Sequence, residues 1–244
     1  VSGLAEALGL KVIFYDVETK LPLGNAEDAK SLKALLNKAD IITLHVPDNS
    51  QTKNLLGKIN LKHCKKGSIL INYARGEVVD LEVLRKLILD GHIAGAAIDV
   101  FPVEPEKNGD RFRTPLQDCP NVLLTPHIGG STEEAQQNIG EDVSLKLFNY
   151  LEKGITFGSQ SIPALALPPK EGSHRILHIH NNVPGVLSDT NTQLSKNKIN
   201  ILGQYLKTNE EIGYVVLDVD KQLSSRALQL LKEVKETIKV RMLY

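Results

Sequence analysis

One alternation limits what this chain can become. Over the first 154 residues, short β-rich runs take turns with segments whose apolar residues recur at helical spacing. That order builds a parallel sheet with helices on both faces. LKVIFYD (10 to 16), IITLHV (41 to 46), SILINYA (68 to 74), AGAAIDV (94 to 100) and NVLLT (121 to 125) read as strands. Between them, VSGLAEALG is helical and closed by Gly9, and AKSLKALLNKAD is helical ahead of IITLHV. Asp80 caps the helix LEVLRKLILD, which Gly91 closes. Ser131 and Glu134 form a capping box for a long helix that runs to about Lys153, before Gly154. The reading is a doubly wound α/β domain over residues 1–130, followed by a helix over 131–154.

From 155 to 172 the period lapses in ITFGSQSIPALALPPKEG, and three prolines mark a flexible linker. The remainder, 173–244, reads strand HRILHIH, helix PGVLSDTNTQLSKNK, strands INILGQYLKT and GYVVLDVD, helix LSSRALQLLKEVKE and strand IKVRMLY. This βαββαβ order is the ferredoxin-like plan, and a domain so small and so appended suits regulation or assembly better than catalysis.

Composition narrows the function. Twenty-nine basic residues balance twenty-nine acidic ones, so no general field draws nucleic acid or anionic lipid. No apolar stretch approaches the roughly 20 residues of a membrane span, and no signal layout opens the chain, which makes the cytoplasm the expected location. Cys64 and Cys119 form no CxxC pattern, and neither a disulfide framework nor a zinc signature is expected.

In a doubly wound sheet, ligands bind beyond the carboxyl ends of the strands. Five such ends carry polar residues: Asp16; His45 with Pro47; Arg75 in NYARG; Asp99 in AAIDVF, trailed by Glu104; and His127 in TPHIGGS. Each has an ordinary structural explanation on its own. Asp16 is placed to accept ribose hydroxyls, and equally to cap a helix. Together, however, a carboxylate-binding cation, an acid and an imidazole are the set needed to move a hydride on a 2-hydroxy or 2-keto acid. Removing hydride from a carbinol requires a base for the hydroxyl proton, and His127 is the candidate. A carboxylate beside such an imidazole fixes its tautomer and stabilises its imidazolium, a role open to Glu104. Arg75 offers a planar fork of donors to the substrate carboxylate, and Gly129 and Gly130 let the backbone approach a cofactor closely.

ILINYARGEVVD, GAAIDVFPVEP and LLTPHIGGST, in that order, resemble the three motifs of the D-isomer-specific 2-hydroxyacid dehydrogenase family. The resemblance implies a Rossmann-like NAD-binding domain, with Arg75, Glu104 and His127 as the catalytic set. It implies NAD contacts from Asp16, His45, Pro47, Tyr73, Ala74, Arg75, Asp99, His127, Ile128, Gly129 and Gly130. The C-terminal segments HIHNNVPGVL, NILGQYLKT and GYVVLDVD are similar to the ACT domain of the family's bacterial serine-regulated branch. That likeness implies D-3-phosphoglycerate as substrate and L-serine as effector, held by His180, Asn182 and Asn200. It further implies a homo-oligomer, a tetramer joined through its ACT and nucleotide domains.

The family also has an N-terminal substrate domain and a glycine loop with no counterpart in these residues. The sequence is therefore read as lacking the first nucleotide strand and most of the substrate domain, to which helix 131–154 would return, and little turnover is expected from it alone. Three other readings stay open: a metal site on His174, His178 and His180; another D-2-hydroxy acid or 2-ketoglutarate as substrate; and an NAD-sensing assembly protein on the same fold.

Overall fold

The computed structural model describes residues 1–107 and 109–244, which divide into two compact units, Val1–Gly130 and Ser131–Tyr244. The first holds α1 (Ser2–Ala7), β1 (Ile13–Phe14), β2 (Glu27–Asp28), α2 (Leu32–Lys38), β3 (Ile41–Leu44), β4 (Ser68–Asn72), α3 (Leu81–Leu89), β5 (Ile93–Ile98) and β6 (Val122–Leu124). Strands β3, β4, β5 and β6 pair in parallel in chain order. Their inward side chains meet those of α2 and α3 in one core, in which Leu36, Leu70, Leu84 and Ile98 are fully buried. Capping starts both helices: Ser31 accepts from Ala34 N, and Asp80 from Glu82 N and Val83 N.

Two expectations need correcting here. The parallel sheet is not covered on both faces within these residues. Both α2 and α3 pack on the same side and α1 buries none of its side chains, so Ile69 and Leu123 remain exposed along an open groove on the other face. The run LKVIFYD forms only the two-residue strand β1, paired with β2 and not with the four-stranded sheet. With so short a partner the rest of the run has no ladder to join, and Tyr15 and Asp16 lie exposed.

The second unit holds α4 (Glu133–Lys153), β7 (Ser173–Asn181), α5 (Val186–Lys196), β8 (Ile201–Thr208), β9 (Ile212–Asp220), α6 (Ser224–Glu233) and β10 (Thr237–Leu243). Its antiparallel sheet runs β10-β7-β9-β8, the ferredoxin-like order. Both faces are filled. Ile176, Val215 and Leu217 pack under α5 and α6, while Leu177, Tyr214 and Val216 pack with Tyr150, Ile162, Leu165 and Leu167.

The cap of α4 is Thr132, which accepts from Ala135 N at 3.1 Å, so the box expected from Ser131 and Glu134 does not form. With the start one residue later, Glu133 and Glu134 fall in the first turn, where they favour the positive end of the helix dipole. The segment 155–172 has no helix or strand but is not a free tether. Thr156 Oγ1 donates to Pro163 O (2.7 Å) and accepts from Leu165 N (2.9 Å), pressing apolar residues of the segment onto the sheet.

Arg175 binds this assembly together. Its side chain is 6% exposed, and all five of its N–H groups are used: two donate to Asp218 (2.8 and 2.9 Å) and three to the carbonyls of Lys153, Leu167 and Pro168. Tyr214 adds a bond from its hydroxyl to Gly154 O, and Arg241 one to Leu151 O. Arg175→Leu should strand a buried carboxylate and lower the stability of this unit by about 3–5 kcal/mol. Replacing Asp218 with Leu as well should recover much of that loss; urea unfolding of the chain checks both.

Candidate active site

Parallel register sets the site. Asn72 pairs with Ile98 and Ile98 with Leu124, so the next residues, Tyr73, Asp99 and Thr125, emerge side by side at the carboxyl rim. Asn72 is fully buried, and its amide shapes the turn that follows. Its Nδ2 donates to Arg75 O (3.0 Å) and its Oδ1 accepts from Ala74 N (3.1 Å). Gly76 then passes so close to the backbone of Phe101 and Pro102 that a Cβ would overlap it, which is why the turn needs glycine there. The result is an exposed Arg75 whose guanidinium donates only to Ala74 O (2.7 Å) and pairs with no carboxylate among the described residues.

Glu104 and His127 meet on this rim. The ring Nδ1 of His127 lies 2.8 Å from Glu104 Oε2 and 2.9 Å from Oε1. A carboxylate only accepts, so Nδ1 carries the proton and Nε2 is left to exchange one. Glu104 is itself oriented by Phe101 N (2.9 Å). The backbone of His127 is left-handed (φ 51°), and its N–H donates to Asp99 Oδ1 at 3.1 Å. The same oxygen accepts from Thr125 Oγ1 at 2.5 Å.

Of the residues expected at the rim, then, Asp99, Glu104 and His127 form one bonded group, with Arg75 and Tyr73 on the neighbouring strand end. Asp16 lies two residues beyond β1, exposed, with Oδ1 accepting from Glu18 N. His45 bonds Thr43 Oγ1 through Nε2 (3.1 Å), and the carbonyl of Pro47 accepts from Thr52. Ile128, Gly129 and Gly130 are exposed, and nothing stands within 4 Å of where either glycine would carry a Cβ. An open glycine pair beside an acid-bearing rim fits a flat nicotinamide ring. Two residues escaped the sequence reading, Asn72 and Thr125. Their only signal was a polar side chain ending an apolar run.

In the C-terminal unit, His180 is 3% exposed, its Nδ1 donating to Asn181 O. Asn182 is exposed and bonds Asn209 O. Asn200 is not with them. His180 pairs with Gly213 and Gly213 with Thr208, whereas Ile201 pairs with Val219, opposite His174. Asn200 therefore sits at the far end of the sheet, on the order of 25 Å away along the strands. Of the three strand histidines, His174 bonds Ser224 and His178 bonds Thr237, while the rings of His178 and His180 lie 5.3 Å apart. Among the described residues no three His, Cys, Asp or Glu side chains converge as a metal site, and no helix is long and apolar enough to cross a membrane.

Residues 1–129 match the family described as D-isomer specific 2-hydroxyacid dehydrogenase, NAD binding domain. The chain belongs to that family. Residues 176–241 match the AHAS small subunit-like ACT domain. The chain is 49% identical over 244 residues to D-3-phosphoglycerate dehydrogenase of Haemophilus influenzae, covering all of this chain and 60% of that protein. The protein of that name from Dictyostelium discoideum is 45% identical, with the same coverage. The chain thus spans about 60% of the length of these curated relatives. Among solved structures, it is similar to an NAD-complexed D-isomer specific 2-hydroxyacid dehydrogenase from Lactobacillus delbrueckii ssp. bulgaricus, at TM-score 0.52 and 34% identity, covering 61% of this chain and 48% of that one. A glyoxylate reductase from Paecilomyes thermophila gives TM-score 0.54 and 29% identity, covering 63% and 45%. As a member of this dehydrogenase family, the chain uses NAD as its cofactor, joined here to an ACT domain.

The ACT domain carries a built-in pH response. Burial, with His180 beside it, pushes the His178 imidazole down from its ordinary 6.5 to about 4. The unfolded chain then binds the extra proton first, so stability contributed by neutral His178 is full above about pH 6.5 and is lost as pH falls toward 4. The expected loss is on the order of 3 kcal/mol. Urea melts between pH 7 and 4 should show it, and His178→Gln should flatten the dependence.

Proposed function

We propose that this chain supplies the cofactor domain and the regulatory domain of an NAD-dependent enzyme that oxidises D-3-phosphoglycerate to 3-phosphohydroxypyruvate, the entry to L-serine biosynthesis. The observation that carries the reading is the Glu104–His127 pair at 2.8 Å, on the same rim as Arg75, which pairs with no carboxylate among the described residues. The identity of 49% to a D-3-phosphoglycerate dehydrogenase supports the choice of substrate. In this reading, Arg75 grips the substrate carboxylate with two N–H groups and orders the hydroxyl-bearing carbon beside it. His127 Nε2 takes the hydroxyl proton as the carbonyl forms, and Glu104 holds the imidazolium in place until the proton leaves. When bound, NAD would supply the hydride acceptor. Its ribose hydroxyls fall to Asp16, and the nicotinamide end to the segment Tyr73 to Arg75, Asp99 and Ile128 to Gly130, with His45 and Pro47 along the same edge.

The ACT domain is read as the L-serine sensor. His180 and Asn182 share one end of the sheet while Asn200 marks the other, which favours a site completed by a second copy. β8 is an edge strand, and pairing it antiparallel with its copy carries the partner's Asn200 toward this chain's His180 and Asn182. Dimers of that kind, joined again through other surfaces, suit a tetramer working in the cytoplasm. The exposed apolar side chains of α4, among them Ile139, Val143 and Phe148, support a further packing partner for that helix, as a substrate domain would provide.

The test is a hybrid in which this chain replaces the matching segment of the Haemophilus influenzae enzyme. It should oxidise D-3-phosphoglycerate with NAD. His127→Gln should lower kcat by about 10²–10⁴-fold, and Arg75→Lys should raise KM by about 10–100-fold. A hybrid that binds NADH and turns over D-lactate but not D-3-phosphoglycerate would move the substrate to another D-2-hydroxy acid. L-Serine should inhibit the hybrid, and Asn200→Ala should weaken that inhibition without changing basal turnover; an inhibition unmoved by Asn200→Ala would remove Asn200 from the effector site.

A further inference from the structure

Thr125 belongs to none of the roles assigned above, yet it sits where the rim is most constrained. A hydroxyl has one proton to give. Thr125 gives it to Asp99 Oδ1 at 2.5 Å in preference to the more distant Tyr73 hydroxyl, 3.4 Å away. Asp99 Oδ1 meanwhile accepts from His127 N. The chain of bonds runs from Tyr73 on one strand end, through Thr125 on another, to a carboxylate on the strand between them, and ends on the backbone of the histidine.

That backbone is strained. His127 has φ 51°, and its side chain must point back to Glu104 from a left-handed conformation that costs a residue with a Cβ roughly 1–2 kcal/mol. Something must over-determine the conformation for it to persist. The N–H bond to Asp99 does so only while the carboxylate is held in one rotamer, and the shortest bond holding it comes from Thr125. Backbone pairing reinforces the arrangement, since Thr125 N donates to Ile98 O and Asp99 N to Asn72 O. Those bonds fix where the strand ends lie; the hydroxyl fixes which way the carboxylate faces.

We propose that Thr125 is a positioning residue for His127. Through Asp99 it locks the left-handed backbone that delivers Nδ1 to Glu104 and leaves Nε2 facing the substrate side. The role assigned to it is exerted through Asp99 and the backbone of His127. The proposal rests on the functional reading given above for its effect on turnover, but not for its effect on the imidazole itself.

Two measurements separate these. In the 244-residue chain, the tautomer of His127 is read from its ring ¹⁵N chemical shifts, assigned by their loss in His127→Gln. The chain should hold the Nδ1–H tautomer. Thr125→Val, which has the same shape without the hydroxyl, should move the population toward the Nε2–H form that free imidazole prefers, and Thr125→Ser should restore it. In the hybrid enzyme, Thr125→Val should lower kcat by about 10–100-fold with KM for D-3-phosphoglycerate within about twofold, as expected for a loss felt only in the transition state. An unchanged tautomer in Thr125→Val, or one that Thr125→Ser fails to restore, overturns the proposal. If the tautomer shifts as described while no version of the hybrid turns over, the positioning role stands and the functional reading falls.

Discussion

The active rim depends on a constraint of parallel pairing. In an antiparallel sheet, polar residues that end successive strands go to opposite edges; in β3 to β6 all of them come out at one edge, in step. Tyr73, Asp99 and Thr125 are neighbours because Asn72, Ile98 and Leu124 are in register across three strands. Every contact at the site follows from that alignment: the Asn72 amide can close the Arg75 turn, and Asp99 can reach the histidine loop of the next strand. A guanidinium at the mouth of a core strand costs little in burial because the turn leaves it exposed.

Much of this was legible in the residues. The alternation of β-rich and helical segments predicted the parallel sheet, since apolar runs such as ILI mark strands and amphipathic helices such as LEVLRKLIL leave a 3.6-residue period, although Ile69 of that run stays exposed on the uncovered face. Caps at Asp80 and turns at Gly9 and Gly154 were readable for local reasons, since one side chain or one positive φ decides each. The pairing of Glu104 with His127 was also anticipated, although 23 residues separate them, because both had to follow strands of the same sheet.

What was not legible depended on partners remote in sequence. LKVIFYD has the composition of a strand, yet forms two residues of one, since a ladder needs a neighbour and composition does not say whether it is there. ITFGSQSIPALALPPKEG has the composition of a tether, yet three of its aliphatic side chains find a sheet face and Arg175 takes two of its carbonyls. The cap of α4 slid from Ser131 to Thr132 because adjacent Ser and Thr are chemically equivalent caps, and only tertiary packing chooses between them. Thr125 and Asn72 were passed over for the converse reason: each does its work through a backbone atom of another residue, which no motif of charged or nucleophilic side chains displays.

The two units pose different problems with the same means. At the rim, a carboxylate holds an imidazole through a short, oriented bond that leaves one nitrogen available; in the C-terminal unit, a carboxylate and three carbonyls hold a guanidinium so completely that no N–H is left over. The first arrangement is open and suited to exchanging a proton. The second is closed, and its three carbonyl partners come from the end of α4 and the segment after it, so any displacement of β7 against β9 is felt at the last turn of that helix. The edge strand β8 belongs to the same sheet, one strand away from Asp218. The strands of that sheet cannot slide without breaking a buried ion pair, and Arg175 supplies that condition.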